Sequence, residues 1–363
     1  MKRAGIIGLG LIGGSIAKAL KKKLGYEISA SNRSFGALEQ AQKDGIADSI
    51  GVWGDELDVR ALFSGCEAVF ICTPVNFMPD CLEKLKDNVD PDCLITDCGS
   101  TKKTIIQCAD SLGLENFVGG HPMAGSEKIG YQNSAAHLFE NAYYVTVPAA
   151  RTAPGMLERL NELAKGIGAV PVQMDGSSHD MAVAAISHGP HAIASALVGL
   201  VEDSDKTGAM RALAAGGFKD LTRIASSSPE MWTAICLENK LELSGILKSF
   251  EKRVSGFNQM LESSDEPGIM SFFSQAKEYR DSFAQAPSAY RQDQKIRVDV
   301  EDKPGSIATI STMLSVNGIN IKNIGVLHSR EYEGGILEIS FDTRESLKKS
   351  RELLIRMNYK VYD

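Results

Sequence analysis

The chain has 363 residues, enough for two or three domains at roughly 100–200 residues each. It is 43% hydrophobic and 23% charged, with a net charge of −7, so nothing electrostatic points to nucleic acid or a membrane surface. No apolar run approaches the roughly 20 residues of a spanning helix. The N-terminus runs straight into a strand pattern, so no signal peptide is expected. Seven cysteines (Cys66, Cys72, Cys81, Cys93, Cys98, Cys108, Cys236) are odd in number and form no Cys-x-x-Cys pair. They read as reduced thiols of a cytoplasmic protein.

The first stretch is a buried strand, Ala4 to Ile7, then Gly8, Gly10 and Gly13, then a helix pattern to Leu24. This order fits a dinucleotide site. Gly8 allows the tight turn, Gly10 lets a pyrophosphate approach, and Gly13 lets the helix pack against the strand. The helix start, at Leu11 and Ile12, offers unsatisfied N–H groups to the phosphates. A second strand, Glu27 to Ser31, ends at Asn32-Arg33-Ser34, where an acid for the adenine ribose is usual. Asn32 would not repel a 2′-phosphate, and Arg33 and Ser34 could bind one, which favours NADP; alternatively Arg33 is a solvated surface charge.

A helix follows from Phe35 to Asp44, then a weaker segment around Ile50. Strand Ala68 to Cys72 ends at Thr73-Pro74, and strand Leu94 to Asp97 opens into Ser100. Both ends fall at the carboxyl edge, where doubly wound sheets bind ligands. Phe117 to His121 is a strand that ends in a glycine-bearing loop with Ser126 and Glu127. Strand Ala142 to Val147, helix Met156 to Gly166 and strand Ala169 to Met174 complete a domain of residues 1–175.

Residues 176–290 read as all helix. The first helix, Asp180 to Glu202, is apolar on most faces and suits a subunit interface. A segment from Gly216 to Ala225 and a long helix from about Glu230 or Leu237 to Leu261 follow, and Glu266-Pro267-Gly268 breaks the pattern. Ala284 to Gln294 reads as a linker. Residues 295–363 give βαββαβ, with a turn at Asp302-Lys303-Pro304-Gly305 and a second strand from Asn320 to Val326.

His121 is the best acid/base candidate, because an imidazole titrates near neutrality and this one stands at a strand end facing the cofactor edge. Ser100 could hold the same reacting hydroxyl, cap the next helix, or both. The first helix also carries Ser187, and His188 and His191, three apart, share one of its faces. A metal site would lack a third ligand, so His191 reads as a donor to a substrate carboxylate or keto group. Arg223, in an apolar turn, suits a carboxylate bidentately or a structural ion pair.

Gly8–Ser15, Asp97–Lys102, Gly120–Glu127, Ser187–His191 and Phe218–Ala225 together resemble the prephenate dehydrogenase family, in the family's order, over about the first 290 residues. The resemblance implies an NAD(P)-dependent enzyme with a Rossmann-type domain and an all-α dimerisation domain. It makes His121 the catalytic histidine, assisted by Ser100, with Ser126, Glu127, Ser187, His191, Gly216 and Arg223 lining the substrate pocket. The substrate would be prephenate, or arogenate, from which it differs only in a keto rather than an amino side chain. The tail resembles an ACT module, an amino-acid sensor. Asp302, Gly305, Asn320 and Ile321 would then meet an effector, most economically tyrosine, the pathway's end product. Two other readings compete. A 3-hydroxyacid dehydrogenase would carry a lysine on the first helix after the sheet, and Asp180 to Glu202 has none. A non-catalytic amino-acid sensor would not need His121 and Arg223.

Overall fold

The computed structural model describes residues 2–126, 128–283, 294–327, 335–341 and 343–362. It divides into two compact units, residues 1–256 and 257–363.

The first unit is built on an eight-stranded sheet. Its strands are β1 (Arg3–Ile7), β2 (Glu27–Asn32), β3 (Ser49–Val52), β4 (Ala68–Ile71), β5 (Leu94–Asp97), β6 (Phe117–Pro122), β7 (Tyr143–Pro148) and β8 (Val170–Gln173). Their order is β3-β2-β1-β4-β5-β6-β7-β8. Strands β1 to β6 are parallel, as expected for a doubly wound sheet. Strand β7 pairs antiparallel with β6, and β8 follows β7, so the far edge runs the other way. Alternation along each strand feeds two cores. Ile6 and Phe70 join one with Ile16, Leu20 and Ile28. Ile7, Val69 and Ile71 join the other with Leu82, Ile95 and Phe117. Both faces of the sheet are thus covered.

The first turn is as tight as its glycines suggest. Gly8 sits at φ +98°, and a Cβ there would lie 2.7 Å from the Cys72 carbonyl oxygen. A Cβ at Gly13 would overlap the Gly8 carbonyl, so the helix Leu11–Leu24 packs as close as backbone allows.

After β8 the chain turns helical. Asp175 caps the next helix by accepting from the Ser178 amide. That helix runs unbroken for 29 residues, Gly176–Ser204, but its five residues Ala184–His188 are wound as a π-turn. By length and composition alone it could cross a membrane, which the sequence did not lead us to expect. Its polar residues explain why this is a weak match: His179, Asp180 and His188 are buried against the rest of the unit. Arg223 opens a short 3₁₀ turn, Arg223–Ser226. The expected long helix is two, Pro229–Glu238 and Lys240–Glu262, broken at Asn239. Asn239 spends its side chain on the Asp180 carbonyl (2.8 Å) and His188 Nδ1 (3.1 Å).

In the second unit, Glu266-Pro267-Gly268 opens a helix, Glu266–Ser282, rather than only ending one. Asp265 caps it through the Gly268 amide, and proline is tolerated in the first turn. Residues 284–293 of the expected linker lie outside the described residues, and Gln294 already belongs to a strand. The tail is βαββαβ, as expected. Strands β9 (Gln294–Val300), β10 (Asn323–Leu327), β11 (Gly335–Phe341) and β12 (Val361–Tyr362) form an antiparallel sheet in the order β10-β11-β9-β12. Ile296, Val298, Leu337, Ile339 and Phe341 pack on Ile310, Leu314 and Leu354 from its two helices, Ser306–Val316 and Arg344–Arg356. Asn320 and Ile321 precede β10 instead of opening it. Ile321 is drawn into this small core and Asn320 stays exposed. Gly305 holds φ +92° in the turn before the first helix, with Asp302 exposed nearby.

Candidate active site

Two clefts meet at the carboxyl ends of β1, β4, β5 and β6. One, of about 410 Å³, is lined by Gly10, Leu11, Ile12, Thr73, Pro74, Ser100 and His121, among others. It continues past Gly8 into a smaller recess of about 230 Å³ that takes in Asn32, Arg33, Phe77 and Asp80. The other, also about 410 Å³, is walled by Ser100, His121, Ser126, Ser187, His188, His191, Arg223 and Trp232. His121 and Ser100 belong to both, with Ser126, Ser227, Met231 and others, so they stand on the partition.

The first cleft suits a dinucleotide. A Cβ at Gly10 would meet nothing within 4 Å, leaving open backbone at the helix start, and Thr73 Oγ1 is buried at the wall without a hydrogen-bond partner. Asn32 is committed to the turn: its Oδ1 accepts from the Leu9 amide (3.1 Å) and its Nδ2 donates to Ser34 Oγ (2.9 Å). Ser34 therefore braces Asn32 and does not line the recess itself. The Arg33 guanidinium lies 4.8 Å over the Phe77 ring, a cation–π contact that holds it at the recess wall.

His121 heads a buried chain of hydrogen bonds. Its Nδ1 lies 2.8 Å from His179 Nε2, and His179 Nδ1 lies 2.7 Å from Asp180 Oδ1. His179 and Asp180 are 1% and 2% exposed. Asp180 also accepts from the amides of Lys102 (2.7 Å) and Lys103 (2.9 Å). Burial pushes its carboxyl up, but the His179 ring and those amides outweigh that and hold it below the ordinary aspartate range. An ionised Asp180 can only accept, so His179 keeps its proton on Nδ1. Its Nε2 then accepts the His121 Nδ1 proton, and His121 Nε2 is left as a lone pair. Burial, then the charges of Lys102, His179 and His188, push His121 well below the usual imidazole value, so it is neutral at pH 7.

This geometry amends several expectations. Ser100 does not cap the helix Lys103–Ser111, whose N-terminal amides are taken by Asp180. Ser100 instead lines both clefts. His191 hydrogen-bonds through Nδ1 to the Ser187 carbonyl (2.9 Å). In the neutral ring its other nitrogen is an acceptor, so it donates to a substrate only when protonated. Burial lowers its pKa first, the Ser187 contact raises it, and Arg223 lowers it further. Arg223 is exposed, although its turn is apolar, and it lines the second cleft. Gly216 begins the helix Gly216–Thr222 and is not among the lining residues, because only the far end of that segment reaches the cleft. Glu127 lies outside the described residues.

Three participants were missed in the sequence. His179 and Asp180 follow directly after a helix cap, and a His-Asp pair at that point was the available signal. Trp232 stacks on His191 (3.8 Å between ring centroids), and its buried Nε1 has no partner. It is one of only two tryptophans in the chain. Among the described residues no cluster of three or more His, Cys, Asp or Glu could hold a metal ion.

Known proteins share this organisation. Residues 16–173 match the family described as "Prephenate dehydrogenase, nucleotide-binding domain", and residues 175–275 match "Prephenate dehydrogenase, dimerization domain". The prephenate dehydrogenase of Bacillus subtilis (strain 168) is 36% identical over 372 residues, covering 98% of this chain and 97% of its own. That of Lactococcus lactis subsp. cremoris (strain MG1363) is 34% identical over 362 residues, covering 98% of each. Among solved structures, prephenate dehydrogenase from A. aeolicus in complex with hydroxyphenyl propionate and NAD+ is 28% identical, with a TM-score of 0.73 over 78% of this chain and 98% of that one. With both family segments in sequence across the glycine turn, the His121 partition and the helices behind it, this chain belongs to the prephenate dehydrogenase family of NAD-dependent oxidoreductases.

Proposed function

We propose that this protein oxidises and decarboxylates prephenate to 4-hydroxyphenylpyruvate, with His121 as general base. The observation that carries this is the lone pair of His121 Nε2, fixed by His179 and Asp180 on the partition between the two clefts. Prephenate carries a ring hydroxyl at C4, a ring carboxylate at C1 and a pyruvyl side chain. His121 takes the hydroxyl proton, and Ser100 orients that hydroxyl from the same wall. When bound, the nicotinamide supplies the hydride acceptor for C4. The resulting ketone is conjugated to the carbon bearing the carboxylate, so carbon dioxide leaves as the ring becomes aromatic. Arg223, the unpartnered Trp232 Nε1, Ser126 and Ser187 offer donors for the carboxylates and the side chain.

The remaining assignments follow from placement. Arg33 beside an uncharged Asn32 lets the recess take a 2′-phosphate, so NADP is accepted as well as NAD. The helices of residues 176–290 form a homodimer. Ile186 (68%), Leu213 (81%), Leu237 (65%) and Leu241 (72%) are exposed in the single chain and need a cover. Residues 295–363 act as an ACT-type sensor for tyrosine, with Asp302 and Gly305 at its first turn and Asn320 and Ile321 before β10.

The test is steady-state kinetics with prephenate and arogenate, each with NAD and NADP. Prephenate should give the higher kcat/KM. His121→Asn should lower turnover by roughly 10²–10⁴ without loss of cofactor binding. Arg33→Ala should selectively weaken NADP. A His121→Asn variant with near-parental turnover would refute the assignment.

A further inference from the structure

Beneath the partition lies a second charged pair that touches neither cleft. Asp97 ends β5 and Lys102 follows five residues later; both side chains are 0% exposed, and the ammonium is bonded to Asp97 Oδ2. Buried charges are tolerated when their other hydrogen-bonding sites are filled, and most of these are. Asp97 Oδ2 accepts from the Gly99 amide (2.8 Å) and Oδ1 from the Gly120 amide (3.1 Å). Lys102 Nζ also donates to the Thr101 carbonyl (2.9 Å). Those two amides immediately precede Ser100 and His121. The backbone amide of the same lysine is one of the donors that fix Asp180. Packing leaves no slack: a Cβ at Gly120 would lie 2.6 Å from the Asp97 carbonyl oxygen, and one at Gly119 3.2 Å from Lys102 Cδ.

We propose that Asp97 and Lys102 form a positioning pair, which fixes Ser100 and His121 relative to each other. This rests on the reading of His121 as the base. The charged and titratable groups around that ring are Lys102 and Asp97 from the β5 end, and His179, Asp180 and His188 from the helix Gly176–Ser204. Of these, Lys102 is, after burial, the first to disfavour the imidazolium. A base held neutral in this way stays competent into the acidic range.

The experiment uses the full chain and compares the parent with Lys102→Arg, Lys102→Met and the double variant Asp97→Asn/Lys102→Met, which removes both charges and strands neither. The readouts are kcat, KM and the acidic limb of kcat/KM against pH. The parent's limb should lie well below the ordinary imidazole value of 6.5. In both Met variants kcat should fall about tenfold or more while KM values stay within about threefold. In Lys102→Met, which leaves the Asp97 carboxylate unpaired, the acidic limb should also rise; in the double variant the two lost charges oppose each other and the limb should stay near the parental one. Lys102→Arg, which keeps the ion pair, should keep kcat within about threefold of the parent. A folded double variant whose kcat is within about twofold of the parent overturns the proposal. If neither Met variant folds, Lys102→Arg decides: kcat within about threefold of the parent supports it, and a loss of about tenfold or more overturns it. His121→Asn is run alongside. If that variant is active, the base assignment itself fails; if it is inactive and the double variant turns over at the parental rate, only the pair's role fails.

Discussion

Replacing Asp180 with asparagine separates the two roles of this carboxylate. Asp180 takes three donors: His179 Nδ1 at 2.7 Å and the amides of Lys102 and Lys103 at 2.7 and 2.9 Å. A hydrogen bond to a charged partner contributes about 1.5–3 kcal/mol. Asparagine keeps one acceptor oxygen and turns the other end into a donor that must face an N–H. At least one bond is lost and the others lose their charge, so Asp180→Asn should cost about 2–4 kcal/mol. The second effect is on the proton. A neutral amide no longer dictates which nitrogen of His179 is protonated, so His121 no longer presents Nε2 as a lone pair in every molecule. Turnover should drop by roughly 10²–10³, within the range for general-base catalysis. Thermal unfolding by circular dichroism gives the first quantity. Initial rates from reduced-cofactor absorbance, measured well below the variant's Tm at saturating substrate, give the second. A variant that loses stability yet keeps turnover within about twofold of the parent would show that Asp180 only caps the helix Lys103–Ser111 and that the relay has no catalytic part.

Arg223→Ala should raise the substrate KM by the equivalent of about 1.5–3 kcal/mol, with the cofactor KM unchanged; normal substrate binding in the folded variant would make the residue structural. His188 is pushed down from 6.5 to about 4, first by burial, with Asp180 opposing and His179 and His191 adding to it. Folding therefore favours its neutral form. Its contribution is complete above pH 6.5 and is lost as pH falls towards 4, up to about 3 kcal/mol in all. Urea midpoints from pH 8 to 4 should show that decline, and His188→Gln should flatten it; an unchanged slope in the variant would refute the attribution. Truncation before Lys295 should leave an active enzyme that tyrosine no longer inhibits, at the loss of a coupling of about 1–3 kcal/mol. Equal inhibition of the truncated and full chains would place tyrosine in the active site.

Local pattern carried much of the fold. The glycine turn, β1, β4, β5 and β6 and the βαββαβ tail stand where alternation and turn residues put them. Strand direction is not written in alternation, so the reversal at β7 could be read only from its pairing with β6. Ser100 and His121 at strand ends, His191 on a helix face and Arg223 in an apolar turn were legible from local pattern, Ser187 only through the family resemblance, and the structure gathers them on one cleft. The relay was not legible. His179 lies 58 residues from His121, and Asp180 lies 78 from the amide of Lys102. Nothing in a helix pattern announces such a partner. Asn239 was absorbed into a continuous helix because its role as a break depends on the distant Asp180 carbonyl.

The π-turn at Ala184–His188 makes the register of the long helix a matter of counting. An α-helix advances about 100° per residue, so the extra residue sets the azimuth of everything after it. Upstream, it leaves His179 and Asp180 towards β6; downstream, it leaves His191 towards Trp232. Deleting any one residue of the turn would let the helix relax to regular winding. Gly189–Ser204 would then swing by about 100° as a block. The number of residues in this stretch is held as firmly as the identity of Ser187 and His188, because an insertion or deletion here would misalign the base's support from the substrate wall.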